Sequence, residues 1–208
     1  MNRIEQAVKI LKAGGVVVYP TDTAYGLAVD ATSLSAVKKL YRLKGRNFRK
    51  PIHVIVPNTA WLKKIVKLNK PALKLMNKFL PGPLTLVLPL KTKGESFRIL
   101  SAGTKSLGIR MPNHSLCIQL VKKLGRPITT TSANLAGGPN CYSTTEVKKQ
   151  FAKSKYQPDF YLDGAKLKKT KPSTVVSLVG HVRILRLGPI SETQIKNVLL
   201  LSQNQPRG

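Results

Sequence analysis

The sequence contains very few acidic residues. Only eight of its 208 residues are Asp or Glu, against 36 Lys and Arg, which gives a formal net charge of +28. A dedicated carboxylate cage for a metal ion is therefore hard to build from this chain. The excess of positive charge favours a polyanionic substrate or partner instead. A general enrichment of lysine on every exposed face would produce the same excess, so charge alone does not decide between the two.

The chain is also poor in the residues of cysteine-based sites and membrane segments. Cys117 and Cys141 are its only cysteines and lie in no CxxC motif, which argues against a zinc site or disulfide framework and favours a reducing cytoplasm. The first fifteen residues carry Glu5 and a helical pattern, unlike a signal peptide. No apolar run approaches the length that spans a bilayer. We therefore predict a cytoplasmic protein without membrane contact.

Periodic patterns predict an α/β fold. Hydrophobic residues make up 42% of the chain, and segments with helical spacing are mixed with short apolar runs typical of buried strands. We predict one domain over residues 1–201 and a flexible tail over 202–208. Strands are predicted at 16–19, 52–56, 84–90, 107–111, 127–131, 159–163, 173–179 and 182–187. Helices are predicted near the amino terminus, after Ser33, on both sides of Pro71, and at 114–124, 144–152 and 191–201, packed on the sheet.

Several loops contain more hydroxyl, amide and cationic side chains than turn formation requires. Such side chains can hold phosphate oxygens. Arg110, flanked by apolar residues in a predicted strand, needs a carboxylate or phosphate partner because an unpaired buried charge is costly. Asx and Ser/Thr turns, and cations at a helix carboxyl end, would explain each loop taken singly. The loops are PTDTAYGL (20–27), KGR (44–46), GIRMPNH (108–114), TTTSANLAGGPN (129–140), KPSTVV (171–176) and ILRLG (184–188).

Taken together and in this order, the loops resemble one family, the threonylcarbamoyl-AMP synthases or YrdC-like proteins. The resemblance runs from about residue 4 to about residue 190 and also includes KPIHVIV (50–56) and PGPLTLVL (81–88). It implies a single-domain α/β fold, in which a twisted, open, mixed sheet carries packed helices and a concave basic active-site surface. The chain has the length expected of a short, single-domain member.

The resemblance implies an enzyme that joins L-threonine, bicarbonate and ATP into threonylcarbamoyl-AMP and pyrophosphate. The product would supply a partner transferase machinery that forms threonylcarbamoyladenosine in tRNA. Since acids are scarce, we expect Mg²⁺ to be held mainly by the ATP phosphates and water. The net charge of +28 predicts in addition a weak direct contact with tRNA.

The family's site residues transfer position by position onto this sequence, and none of them is a metal ligand. The catalytic set around the phosphates falls on Lys44, Arg46, Ser132 and Asn134. The threonine contacts fall on Thr23, Arg110, Thr130 and Ser173. The ATP contacts fall on Arg46, Lys50, Ser106, Ser132, Asn140 and Arg186.

Two other functions remain open from the residues alone. The charge and the open sheet would also suit a basic RNA-binding module of the same fold without catalysis. Aromatic residues make up only 6% of the chain and show no regular interleaving with basic ones, so base-stacking platforms are few. A metal-dependent sugar-phosphate enzyme would need acidic ligands that are scarce here. The RNA-binding alternative also does not explain the combination of Thr23, Arg110, Ser132 and Asn134.

Overall fold

The centre of the molecule is a mixed β-sheet. The computed structural model describes residues 2–200; Met1 and residues 201–208, including the predicted tail, lie outside the described part. Within it, nine strands pair in the order β7-β1-β2-β6-β3-β5-β4-β8-β9. They are β1 (Val17–Pro20), β2 (Tyr25–Ala28), β3 (His53–Ile55), β4 (Leu84–Pro89), β5 (Ser106–Arg110), β6 (Ile128–Ser132), β7 (Phe160–Tyr161), β8 (Thr174–Ser177) and β9 (Arg183–Arg186). The β1–β7, β3–β5 and β4–β8 pairs are parallel, and the others are antiparallel.

Helices pack on both faces of this sheet. They are α1 (Arg3–Lys12), α2 (Leu34–Lys44), α3 (Thr59–Ile65), α4 (Lys70–Phe79), α5 (Glu95–Leu100), α6 (Ser115–Leu124), α7 (Thr144–Phe151) and α8 (Glu192–Leu200). The predicted cap Ser33 accepts a hydrogen bond from the Ala36 amide and begins α2. Gly45 ends α2 at φ 59°, a left-handed conformation that glycine adopts without penalty, and this turn directs the next residue out of the helix.

The structure confirms the predicted α/β fold and differs from the sequence prediction in two elements. β2 lies within the segment predicted to be a loop, and α5 was not predicted. β2 is only four residues long and buried on both faces, so it shows no alternation of polar and apolar residues. The predicted helices at 114–124 and 144–152 begin or end within a residue of α6 and α7. The helix predicted at 191–201 is α8, and its last predicted residue lies outside the described range.

The two faces of the sheet are covered unequally. One face carries the larger core cluster, which contains Val54 and Ile109 from β3 and β5. On the other face, α1 and α6 cover β1 and parts of β2, β6 and β3 through a smaller cluster that includes Ile55 and Ile128. Side chains alternate along a strand, so residues 53, 108 and 110 lie on this second face, beyond the cover of α1 and α6. The candidate site lies there.

No helix within residues 2–200 is both long enough and apolar enough to cross a lipid bilayer.

Candidate active site

A cleft with a volume of about 300 Å³ opens on the partly covered face of the sheet. Eight of the twelve predicted site residues line it: Thr23, Arg46, Arg110, Thr130, Ser132, Asn140, Ser173 and Arg186. The other four, Lys44, Lys50, Ser106 and Asn134, do not form its lining. The structure therefore brings the predicted residues from six separate segments, between positions 23 and 186 of the sequence, to or near one surface. The remaining lining residues are Thr21, Ala24, Tyr25, Gly26, Pro51, Ile52, His53, Thr131 and Pro172.

The Lys44 side chain lies beneath the cleft surface. It is 2% exposed, and its Nζ donates to the Ser132 carbonyl at 2.5 Å, the Asn134 carbonyl at 2.8 Å and the Asn134 Oδ1 at 2.9 Å. Burial, and secondarily Arg46, lower the pKa of this amine to about 7. Three acceptors at these distances require three N–H groups, which only the charged ammonium supplies. In this structure the Lys44 ammonium is engaged with the loop that carries Ser132, and its predicted contact with phosphate stays a prediction.

The loop after β6 is held in one conformation by Asn134. Its Oδ1 accepts from the Ser132 hydroxyl at 2.6 Å as well as from Lys44, and its Nδ2 donates to the Gly138 carbonyl. The Ala136 amide donates to the Lys44 carbonyl at 2.9 Å. Of the residues at the start of this loop, Ser132 reaches the cleft, whereas Asn134 is 6% exposed and lies below it. The arrangement fixes the Ser132 hydroxyl at the cleft wall.

Arg46 leaves the end of α2 and lines the cleft. Its guanidinium folds back on its own loop, where it donates to the Pro51 carbonyl at 3.0 Å and the Lys50 carbonyl at 3.3 Å. Burial lowers its pKa from the usual value, and within residues 2–200 no acidic side chain lies within ion-pair distance of it. The Lys50 side chain is exposed and lies outside the lining. Arg46 is therefore a cation that a bound anion can meet.

Arg110 makes a buried ion pair, and its carboxylate partner, Asp22, was not identified from the sequence. Its Nη2 donates to Asp22 Oδ1 at 2.6 Å and to Thr23 Oγ1 at 3.3 Å, and the arginine and aspartate side chains are only 9% and 11% exposed. Asp22 also accepts from the Asn113 amide at 3.3 Å. The Nε of Arg110 is buried and has no hydrogen-bond partner within the described residues. One donor of this guanidinium is thus buried without a partner among the described residues.

Arg186 and Ser173 close the opposite side of the cleft. Arg186 donates to the Ser173 carbonyl through Nε at 3.0 Å and Nη2 at 2.9 Å, and the Ser173 hydroxyl lies 2.8 Å from Thr85 Oγ1. A Cβ on Gly188 would lie 2.1 Å from the Pro172 carbonyl oxygen, so only glycine permits this approach of the two segments. Burial, with a smaller contribution from Arg110, lowers the pKa of Arg186.

Ser106 and Asn140 are placed less tightly. Ser106 begins β5 on the same face as Arg110, four residues along the strand, and its hydroxyl lies 3.1 Å from Thr104 Oγ1. Asn140 lies at the cleft wall, after the loop that Asn134 fixes.

His53 was not predicted as a site residue. It stands in β3 opposite Thr130 in the antiparallel pair with β6, and it lines the cleft. Burial lowers the pKa of its imidazole to about 4, and the three cleft arginines, Arg46, Arg110 and Arg186, act in the same direction. The ring is therefore neutral at pH 7. A single histidine in the otherwise apolar strand IHVIV was the feature of the sequence that could have identified it.

The described part of the chain contains no group of three or more His, Cys, Asp or Glu side chains that could hold a metal ion. The carboxylate nearest the cleft, Asp22, is already paired with Arg110. The donors that line the cleft are hydroxyls, amides and guanidiniums, which suit anions.

Comparisons with known proteins agree with this geometry. The model of the Sua5/YciO/YrdC family, described as telomere recombination, matches residues 9–188. A putative threonylcarbamoyl-AMP synthase of Methanocaldococcus jannaschii is 33% identical over 175 residues, 84% of this chain and 80% of that protein. The chain belongs to the Sua5/YciO/YrdC family. The crystal structure of Escherichia coli YciO, a Sua5/YciO/YrdC protein by name, superposes with a TM-score of 0.80 at 28% identity and covers 92% of each chain.

Some relatives from the Sua5/YciO/YrdC family are considerably longer. The threonylcarbamoyl-AMP synthase of Bacillus subtilis is 36% identical over 199 residues, 95% of this chain but 56% of that protein. Pyrococcus abyssi Sua5, whose crystal structure contains L-threonine, superposes with a TM-score of 0.87 at 31% identity over 94% of this chain and 57% of that one. The chain thus spans just over half the length of these two relatives.

Proposed function

We propose that this protein is an enzyme that makes threonylcarbamoyl-AMP and pyrophosphate from L-threonine, bicarbonate and ATP. The observation that carries the proposal is the convergence of three arginines with serine and threonine hydroxyls on one cleft, whose lining within residues 2–200 contains no carboxylate. All three proposed substrates are anionic or carry a carboxylate, so such a lining suits each of them. The names of the relatives support the same reaction.

The residues of the cleft divide between the two larger substrates. The guanidinium of Arg110 would meet the threonine carboxylate, with the hydroxyls of Thr23, Thr130 and Ser173 around the rest of the molecule. Arg46 and Ser132 would contact the reacting phosphates. Lys44 and Asn134 would act through Ser132, because their polar groups hold its loop. Further nucleotide contacts are assigned to Lys50, Ser106, Asn140 and Arg186.

The charge of the cleft fits the reaction. The threonine carbamate attacks the α-phosphorus of ATP, and negative charge accumulates where carbamate and triphosphate meet. Fixed cations and hydroxyl donors stabilise such charge, whereas a nearby carboxylate would repel the nucleophile. Magnesium would enter as part of the MgATP substrate, held by phosphates and water, since no carboxylate lines the cleft.

Omission of single substrates tests the proposal. Purified protein should release pyrophosphate when ATP, Mg²⁺, threonine and bicarbonate are all present, and only at background rates when any one is left out. Release that continues without threonine would indicate an ATP pyrophosphatase and would overturn the assignment.

Arg110→Lys should weaken threonine binding by about tenfold or more and change ATP binding much less. A lysine ammonium cannot reproduce the donor geometry of a guanidinium that contacts Asp22, Thr23 and a carboxylate together. Calorimetric titration with each ligand measures the two affinities. Equal losses for threonine and ATP would show that Arg110 supports the fold or the nucleotide, not the amino acid.

The product would pass to a transferase machinery that modifies tRNA, and a direct contact with tRNA should be weak and salt-dependent. Lys166, Lys168, Lys169 and Lys171 are exposed in the segment just before the cleft residues Pro172 and Ser173. Lys168→Gln with Lys169→Gln should flatten the slope of log affinity against log salt by up to about two. Filter binding at several salt concentrations measures the slope. Tight, salt-resistant discrimination between tRNAs would favour an RNA-recognition module instead.

A cytoplasmic location stays a prediction.

A further inference from the structure

His53 is the one side chain of the described cleft lining that can act as a proton acceptor at neutral pH, because its imidazole is uncharged there. The other polar lining residues are hydroxyls, an amide and the three cleft arginines, which are donors or very weak bases. Burial raises the pKa of the Tyr25 phenol, which is therefore not a base at pH 7. Asp22 is not part of the lining, and Arg110 already occupies its carboxylate.

The His53 ring is held in place without its nitrogens being occupied. A Cβ on Gly108 would lie 2.4 Å from the ring Cδ2, so the imidazole rests directly on the glycine of β5. Within residues 2–200, neither ring nitrogen makes a hydrogen bond to another protein group, although Thr130 lies opposite His53 in the strand pair. The neutral ring therefore has a lone pair that no other group of the described residues occupies.

The proposed reaction, on which this inference rests, must release a proton before any phosphate chemistry occurs. Threonine arrives as an ammonium, which is not nucleophilic, and becomes a carbamate. In the net reaction, the ammonium and bicarbonate give the carbamate, one water and one proton. A cleft lined with cations offers that proton few acceptors.

We propose that His53 is the general base of carbamate formation. An imidazole nitrogen removes the first proton from the threonine ammonium and passes it to the hydroxyl of bicarbonate, which leaves as water and gives carbon dioxide. The freed lone pair of the amine forms the N–C bond, and one C=O electron pair moves onto oxygen. The second N–H proton is then taken by His53, which ends as an imidazolium beside the anionic carbamate.

The surrounding charges make the basicity of His53 depend on whether the substrates are bound. The charged groups that face His53 are Arg46 from the loop after α2, Arg110 from β5 and Arg186 from β9, with Asp22 partly neutralising Arg110. In the empty cleft, burial and the three cleft arginines keep the imidazole neutral and hold its pKa near 4. The threonine carboxylate and the triphosphate offset that positive potential, which raises the basicity of His53 when the substrates are bound.

A comparison of the forward and reverse rates distinguishes a general base from a residue that only shapes the cleft. Reversal, in which pyrophosphate attacks the α-phosphorus of supplied threonylcarbamoyl-AMP and releases ATP, needs no proton from the amine. His53→Gln should lower forward turnover by about 10² or more and leave the rate of ATP formation in reverse within about threefold of wild type. Equal losses in both directions, or no loss in either, would overturn the proposal.

Controls make each result interpretable. His181→Gln, at an exposed histidine outside the cleft, should behave as wild type in both directions. ATP binding and circular dichroism check that His53→Gln is folded; if it is not, His53→Ala with added imidazole serves, and restored forward turnover is expected. Failure of imidazole to restore it would count against the proposal. Wild-type protein that forms no ATP from threonylcarbamoyl-AMP would instead refute the proposed function itself.

The pH dependence provides a readout that a purely structural role would not change. Forward turnover of wild type should fall at acid pH as His53 becomes protonated. In His53→Gln the amine must lose its proton unaided, so the variant should recover as the pH rises towards and above the α-amino pKa, about 8. A constant ratio of the two rates over this range would contradict the proposed role.

Discussion

Arg46→Ala should lower turnover for threonylcarbamoyl-AMP synthesis by about 10²–10³, equivalent to roughly 2.7–4 kcal/mol, while the protein stays folded. Arg46 lines the cleft, has no acidic partner within residues 2–200, and donates only to the carbonyls of Lys50 and Pro51. Its charge is therefore available as negative charge grows between carbamate and triphosphate. The side chain is half-buried and belongs to no core cluster, so its loss should affect stability little. Steady-state kinetics of pyrophosphate release measure the effect.

Arg49→Ala is the matched control, because it removes an exposed arginine of the same loop that does not line the cleft. It should retain turnover close to wild type. Ser132→Ala should lower turnover less than Arg46→Ala, since it removes one neutral donor. The double variant should lose less than the sum of the two, as expected of groups that act together. A folded Arg46→Ala protein with wild-type turnover would place this arginine outside the chemistry.

Lys44→Met should reduce both turnover and stability, which distinguishes it from Arg46→Ala. The methionine fills the buried space but leaves the Ser132 and Asn134 carbonyls without their donor, each at about 1–3 kcal/mol. The loop that carries Ser132 then loses its anchor, and a shift of about 1 Å would lower turnover by about 10². Thermal unfolding gives the stability change. Faster hydrogen exchange over residues 132–138 should report the loosened loop.

The matched control is Lys38→Met, at an exposed lysine of α2, the helix that also carries Lys44. It should leave turnover and stability unchanged. If Lys44→Met abolished turnover with normal stability and unchanged exchange in 132–138, Lys44 would contact substrate directly. The positioning role that its three hydrogen bonds indicate would then be wrong.

The sequence predicted the fold well because long elements carry strong periodic patterns. α2 and α6 have apolar residues at helical spacing and end at glycines in the left-handed conformation, features visible in the chain itself. β2 and α5 show no such pattern, and β2 (YGLA) contains a glycine and directly follows turn-forming Thr and Asp residues. Their positions depend on pairing with β1 and β6 and on packing against α2, which are tertiary contacts.

Most of the residues that line the cleft were predictable from the sequence, but the contacts among their side chains were not. Loop composition and family resemblance identified Arg46, Arg110 and Ser132 as site residues. Which side chain faces the cleft and which lies below it depends on the turn at Gly45, so the burial of Lys44 could not be predicted from the sequence. The Arg110–Asp22 pair joins residues 88 positions apart, a contact that no local pattern reports.

Mass spectrometry of the product formed from ATP, threonine and ¹³C-bicarbonate tests the central claim most directly. We predict an adenylate that contains threonine and one added carbon, with the ¹³C label on that carbon, and pyrophosphate released in equal amount. A threonine adenylate without the labelled carbon, or AMP alone, would contradict the proposed reaction.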